Sequence, residues 1–170
     1  SATVKAASTA YAIWCEYDEI LYFTYSSNTY VEGQTYQEHL ITKVWSGANV
    51  TNTGIENPAW VSYGCGTKAK NVEFDSSFQN VRPTSCFAWF KDFERISEIT
   101  GLQYLNTSNV TSMRSMFSNC PMLTSLYVSG FNTSNVTDMN SMFYVCQLLN
   151  SLDLSRFDTR NVTDMGSMFS

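Results

Sequence analysis

Three carboxylates near the N-terminus, Glu16, Asp18 and Glu19, have the residue type that glycosidases use as an acid and base pair. Their closeness in a segment of turn residues instead predicts solvated charges on a turn. The chain has one histidine, His39, within the apolar run HLITKVW, and no GxSxG motif accompanies it. We therefore expect His39 to be an ordinary strand residue, and we expect no catalytic residues and no enzymatic activity.

Methionines recur in the C-terminal half at a spacing that could suit a soft metal, because thioether sulfurs select Cu(I). The pairs are Met113 with Met116, Met139 with Met142, and Met165 with Met168. A phenylalanine follows each pair, and methionine commonly fills gaps in a core beside aromatic rings. The pattern predicts core packing, with no bound metal and no cofactor.

The five cysteines are far apart and form no CxxC pair, which argues against a zinc site or a thioredoxin-like site. They are Cys15, Cys65, Cys86, Cys120 and Cys146. The last two occupy the same position of an internal repeat. We expect both to be small buried residues of the core.

That repeat dominates the C-terminal half. NTSNVTSMRSMFSNCPMLTSLYVSGF begins at Asn106, and the near-identical NTSNVTDMNSMFYVCQLLNSLDLSRF follows it directly, from Asn132. A third copy begins at Asp158, and a degenerate copy from Thr84 aligns with the residues from Thr111 onwards. One such unit cannot bury its apolar face alone, so neighbouring units are expected to stack as a solenoid.

Each unit contains two apolar periods. Residues three or four apart predict one face of a short helix: Val110, Met113, Met116, Phe117 and Cys120. The next residues have the LxxLxL spacing of a short strand: Leu123, Leu126 and Val128. A unit is thus predicted to be one short helix and one short strand.

Polar residues of the repeat have structural interpretations as well. Thr111, Thr137 and Thr163 stand where they could cap the predicted helices, and Asp138 and Asp164 suit the positive helix start. The NTSN and DTRN clusters before them contain side chains that hydrogen-bond locally to turn backbone. Stacked copies are expected to form ladders of such bonds.

The N-terminal segment has a different character. YAIWCEYDEILYFTY from Tyr11 predicts a hairpin, HLITKVW a further strand, and SGANVTNTGIENPAW from Ser46 a loop. We therefore predict an α/β chain with a β-rich cap over residues 1–70 and repeats over residues 71–170, the last one incomplete. VEFDSSF from Val72 resembles the repeat strand LDLSRF with one residue added.

The charge and hydropathy of the chain indicate which classes of partner are disfavoured. The net charge is −5, and the ten Lys and Arg residues are scattered, so no basic stripe favours nucleic acid or anionic lipid. No apolar stretch reaches the length of a membrane span, and the first residues lack the regions of a signal peptide. Export would therefore require a leader that this chain does not contain.

The repeat resembles that of the BspA-like leucine-rich-repeat surface proteins of bacteria. Their motif LDLSxFDTSNVTDMxxMFxxC is matched here by LDLSRFDTRNVTDMGSMFS and LYVSGFNTSNVTDMNSMFYVC. The resemblance implies a leucine-rich-repeat-like solenoid in an extracellular or cell-surface protein that takes part in adhesion to host matrix proteins or other cells. It implies neither a cofactor nor catalytic residues.

A binding surface is the remaining candidate site. Ser125 and Tyr127 in one unit, and Ser151 and Asp153 in the next, are expected to point outward from the predicted strands and to align by stacking. The surface is polar and weakly acidic. It therefore favours a protein or glycan partner over an anionic polymer.

Two further hypotheses stay open. A carbohydrate-binding cap would require Trp14, Trp45 and Trp60 to form an exposed platform for sugar rings. At the other end, Met168 and Phe169 repeat the core pattern just before the last residue, so the final unit has no cover. We expect either that the chain is a fragment of a longer protein or that an end-to-end homodimer covers that edge.

Overall fold

The aromatic N-terminal run forms the centre of a mixed sheet in the computed structural model, which describes residues 2–170. The described residues contain six strands: β1 (Thr9–Cys15), β2 (Ile20–Ser26), β3 (Thr35–Tyr36), β4 (His39–Leu40), β5 (Lys43–Ser46) and β6 (Asn71–Phe74). The sheet order is β5-β1-β2-β6, and β3 pairs with β4 separately. The pairing of β1 with β2 is antiparallel and confirms the predicted hairpin. By contrast, β6 runs parallel to β2.

Both faces of this sheet are buried, which explains why β1 and β2 read as nearly continuous apolar runs. Ala12 and Trp14 of β1 face the main core, which continues into the repeats. Ile13 and Cys15 face a second, smaller cluster that includes Tyr36. Alternate residues of one strand thus serve two cores.

The connection from β5 to β6 contains helices where a loop was predicted. They are single turns: α1 (Ala48–Thr51), α2 (Ala59–Ser62) and α3 (Cys65–Lys68). Trp60 of α2 is fully buried, and its indole N–H donates to the Trp89 carbonyl at 2.7 Å. Two short 3₁₀ helices follow, at Ser76–Asn80 and Leu102–Tyr104. In the part of the chain described, no helix has the length and apolarity needed to span a membrane.

The short helix predicted in each repeat is absent, and consecutive β-turns replace it. The Met116 N–H donates to the Met113 carbonyl at 3.1 Å, and Ser115 between them has a φ of 56°. Asn119, four residues on, has a φ of 59°. Left-handed residues at this spacing end any α-helix, yet the four-residue turns still place apolar residues three or four apart on the inner side.

Backbone hydrogen bonds join each turn segment to the next unit, which also explains why no helix forms. The N–H groups of Met113, Ser115 and Phe117 donate to the carbonyls of Asp138, Asn140 and Met142 at 2.9 Å. The same bonds join residues 139–143 to residues 164–168 and residues 86–90 to residues 112–116. Because these donors are used between units, they are not available for bonds within a helix.

The predicted caps have another role. The hydroxyls of Thr111, Thr137 and Thr163 each donate to the carbonyl of the threonine one unit earlier, at 3.1–3.3 Å. Thr107 and Thr133 are buried, and each hydroxyl donates to a carbonyl of the following unit. The predicted ladders of side-chain hydrogen bonds are therefore confirmed, whereas helix capping is wrong because there is no helix to cap.

Inside the units, aromatic rings form a stack. Phe90, Phe117, Phe143 and Phe169 follow one another with ring centroids 5.6–5.8 Å apart and planes 6–16° from parallel. Around this stack the main core continues through the turn segments. The stack starts beside the sheet, because Phe90 also contacts Phe74 of β6 edge to face.

The LxxLxL segments do not form strands. Leu123 and Val128 are buried as predicted, and Leu126 is partly buried. No residue of this segment is in a β-ladder, although the Thr124 N–H donates to the Ser97 carbonyl at 2.9 Å. Two of the isolated β-bridges join Ser112, Asp138 and Asp164 at the start of the turn segments, and a third joins Thr100 to Glu73 of β6.

Gly101 lies where the sheet meets the first unit. The Phe74 N–H donates to the Thr100 carbonyl at 2.8 Å, so β6 runs directly beside Thr100. Gly101 has a φ of 74°, and a Cβ there would be 2.2 Å from the Phe74 carbonyl oxygen. Only glycine satisfies both the backbone conformation and this close approach.

Candidate functional site

The three carboxylates considered as an acid and base pair each have a different cationic or imidazole partner at the surface. Glu16 contacts Lys68 at 2.6 Å, and Asp18 lies 3.0 Å from His39 Nδ1. Glu19 lies between Lys70 and Arg95, whose hydrogen bonds lower the pKa of its carboxyl group. This arrangement holds the β1–β2 turn against later segments, and the three do not converge on one reacting position.

The cysteine thiols are held in their unreactive, protonated form. Burial, and then the charge of Asp18, raise the pKa of Cys15 to about 11, and burial raises the pKa of Cys65 to about 12. Cys120 is buried and Cys146 is partly buried. Their Sγ atoms donate to the Phe90 and Phe117 carbonyls at 3.1 Å, one unit apart.

Two of the three methionine pairs pack in the core, and the third pair does so only through Met168. Met113, Met116, Met139 and Met142 are fully buried beside the phenylalanine stack, whereas Met165 is about half exposed. Within residues 2–170, no group of three or more His, Cys, Asp and Glu side chains is placed to hold a metal ion.

The tryptophans do not form an exposed platform. Trp14 and Trp60 are fully buried, and Trp45 is partly buried with its ring 5.7 Å from that of Tyr63. The observation that would favour a sugar-binding cap built on these three rings is therefore not met.

The structure brings the four residues of the predicted binding surface to one open groove of about 600 Å³. We call Ser125, Tyr127, Ser151 and Asp153 the repeat face. All four are exposed, and the Tyr127 side chain has 51% of its surface accessible. Hydrogen bonds from the Ser155 hydroxyl and N–H lower the pKa of Asp153, so its carboxylate stays charged and oriented.

Sequence reasoning missed an ion cluster on the turn side of the repeats. Arg114 Nη1 lies 3.5 Å from Asp138 Oδ2 and 3.5 Å from Asp164 Oδ2, so one guanidinium bridges the two following units. Asn140 also donates to both carboxylate oxygens of Asp164. The shared repeat position of the two aspartates was the available signal, but Arg114 has no counterpart in the other copies.

These features define a small mixed α/β protein with few helices, a mixed sheet and tandem repeats joined by hydrogen bonds. Residues 84–170 match the model of a family described as a Mycoplasma protein of unknown function, DUF285. The chain belongs to this family. No curated protein and no solved structure matches it.

Proposed function

We propose that this chain is a non-enzymatic, cell-surface interaction protein of the BspA-like leucine-rich-repeat class. In this proposal, residues 71–170 form a solenoid, residues 1–70 cap its first unit, and the repeat face binds a protein partner outside the cell. The motif resemblance supports the class. The backbone hydrogen bonds that recur from one repeat to the next support the stacking of units.

One observation carries the binding proposal. Residues of two successive units, chosen for their repeat position alone, line a single groove, and each is exposed and free of the core. Partly buried Leu126 and Leu152 also line it, so the groove offers an apolar floor with a polar rim. Protein interfaces have this arrangement of apolar centre and polar surroundings.

The absence of catalytic activity is part of the same proposal. His39 and Asp18 form a surface pair, but the neighbouring Cys15 is buried with a raised pKa and cannot act as a nucleophile. The other acidic residues of that turn are in ion pairs with Lys and Arg. We therefore propose that these side chains stabilise the fold and take no part in catalysis.

A binding screen with matched variants tests the proposal. The intact chain is immobilised and tested against purified extracellular-matrix proteins, and each interaction is repeated with Tyr127→Ser and Asp153→Ser. Tyr144→Ser is the control, because Tyr144 is 41% exposed but lies outside the groove. We expect the face variants to weaken binding at least tenfold and the control to retain it. Equal binding by all three variants would refute the assignment of the face.

A further inference from the structure

A second concave surface lies beside the repeat face and has different chemistry. It consists of two open recesses of about 460 and 400 Å³ that share Gly130 and Asn132. We call it the amide groove. Its functional side chains are Arg82, Gln103, Tyr104, Asn106, Asn132 and Arg156.

The amide groove is locally cationic in a chain whose net charge is −5. Six of the ten Lys and Arg residues have carboxylate partners: Lys43, Lys68, Lys70, Arg95, Arg114 and Arg160. Among the described residues, Arg82 and Arg156 form no close ion pair, although the charge of Arg156 acts on Asp153, and both arginines line this groove. The first recess has no carboxylate in its lining, and Asp158 in the second is neutralised by Arg160 at 2.7 Å.

Arg82 is also held in position. Its Nη1 donates to the Gln79 carbonyl at 2.6 Å and to the Val81 carbonyl at 3.3 Å. The rest of the guanidinium remains available for a ligand. A planar fork fixed in this way can bind a carboxylate through two parallel hydrogen bonds at a reduced entropic cost.

The amides of the groove are oriented by the repeat itself. Asn106 Oδ1 accepts from the Ser108 N–H, and Asn132 Oδ1 accepts from the Ser134 N–H, both at 3.0 Å. These bonds use the oxygens and leave the Nδ2 groups as donors in successive units. Oriented amide donors beside a tyrosine ring suit a ligand rich in hydroxyl groups, because the ring packs against the apolar face of a sugar.

We propose that the amide groove binds a short oligosaccharide that carries carboxylate groups. Arg82 and Arg156 bind the carboxylates, Asn106 and Asn132 donate to hydroxyl or acetamido oxygens, and Tyr104 packs against a sugar ring. A peptide ligand fits less well, because Leu105, the only aliphatic side chain lining the first recess, is itself buried. This proposal does not depend on a protein partner at the repeat face.

The test is an NMR titration of the isotope-labelled chain with a tetrasaccharide of glucuronic acid and N-acetylglucosamine. We expect saturable shifts of the Asn106 and Asn132 side-chain amide signals, with affinity reduced at least tenfold by Arg82→Gln or Arg156→Gln. Lys91→Gln is the control, since Lys91 also lacks an ion pair but does not line the groove. Tyr127→Ser should retain glycan binding, which separates this result from the test of the repeat face.

Three comparison ligands can overturn the proposal. If the carboxyl-reduced tetrasaccharide binds as tightly, the arginines have no role in recognition. If a sulfated oligosaccharide binds as tightly and Lys91→Gln weakens both, the interaction is unspecific attraction of anions. If a glutamate-rich peptide binds more tightly than the sugar, the ligand class is wrong. Absence of any saturable shift also refutes the site.

Discussion

Phe117 and Phe143 occupy the same position of successive repeat units, and their rings stack with centroids 5.8 Å apart and planes 6° from parallel. Phe169 continues the stack on the other side of Phe143 at 5.6 Å. Phe143 therefore has an aromatic neighbour on each face, one from each adjoining unit, so its burial depends on both units being in register.

The first prediction concerns this ring. Phe143→Ala should lower the free energy of unfolding by roughly 3–5 kcal/mol, because it removes a buried aromatic side chain and leaves a cavity. Tyr127→Ala, on the exposed repeat face, should cost no more than about 0.5 kcal/mol. Chemical denaturation of both variants measures the difference, and equal losses would contradict the assigned inner and outer positions.

The second prediction concerns Val145, a β-branched residue with a φ of 55°. The left-handed region is strained for valine and less so for asparagine, and Asn119 occupies the same position one unit earlier. Val145→Asn should therefore stabilise the chain by about 0.5–1 kcal/mol in thermal or chemical unfolding. Val136→Asn, at a fully buried position, should destabilise it. A loss of stability in Val145→Asn would show that its side-chain packing outweighs the backbone strain.

The third prediction compares two glycines with positive φ, Gly101 and Gly54, to separate the cost of a steric clash from the cost of backbone strain. Gly101→Ala should destabilise by more than about 2 kcal/mol, because strain at positive φ is added to a clash with the Phe74 carbonyl. Gly54→Ala is the control, since Gly54 has a φ of 67° but no atom within 4 Å of the added Cβ. Similar thermal midpoints for the two variants would mean that β6 moves aside at little cost.

The fourth prediction concerns acid stability. Hydrogen bonds from the Arg160 side chain and N–H lower the pKa of Asp158 from 3.8 to about 2. A carboxyl group with a depressed pKa in the folded state stabilises the fold above its unfolded pKa, and this stabilisation is lost as pH falls from about 4 towards 2. The Asp158→Asn variant should therefore lose less stability than the parent chain when the pH falls from about 4 towards 2.

This substitution preserves the local turn, because Asn106 and Asn132 accept the same backbone bond in the earlier units. Thermal melts at several pH values give the comparison. Glu98→Gln, which changes an exposed carboxylate without an ion pair, should leave the pH dependence as it is. If Asp158→Asn has the same pH profile as the parent chain, the pair with Arg160 does not contribute to acid stability.

In the copy from Asn106, apolar spacing predicted which side chains are buried, whereas Met165 and Phe169 of the third copy are exposed. The spacing did not predict the backbone that buries these side chains. Met113, Met116 and Phe117 have helical spacing, and a pair of β-turns places them on the inner side just as a helix would. What decides between the two is the partner of alternate backbone N–H groups: those of Met113, Ser115 and Phe117 donate to the next unit rather than within a helix. The propensities of Ser115 and Asn119 for left-handed backbone were too weak a signal to reveal it.

The repeat face was predictable because its residues follow the repeat position, whereas the amide groove was not. Arg82 comes from the segment before the first clear repeat, and Arg156 from a later unit, so no local motif joins them. Their common location depends on how the units stack beside the sheet. Likewise, the burial of Trp14 and Trp60 follows from packing on both faces of the sheet, which the composition of the N-terminal segment did not indicate.

The spacing between units sets a rule for how the length of this chain can change. Thr137 follows Thr111 at the same interval as Thr163 follows Thr137, whereas the interval from Thr84 to Thr111 is longer by a single residue. The extra residue falls between Thr100 and Leu105, in the bend that contains a 3₁₀ helix, and outside the hydrogen-bonded turn segment. Insertions of one residue should therefore be tolerated in the corresponding bends of the later units, which lack the close contact between Gly101 and Phe74. Within the turn segment, an insertion would shift every later N–H donor away from its carbonyl acceptor in the next unit. There, only the gain or loss of a whole unit preserves the hydrogen bonds between successive repeats.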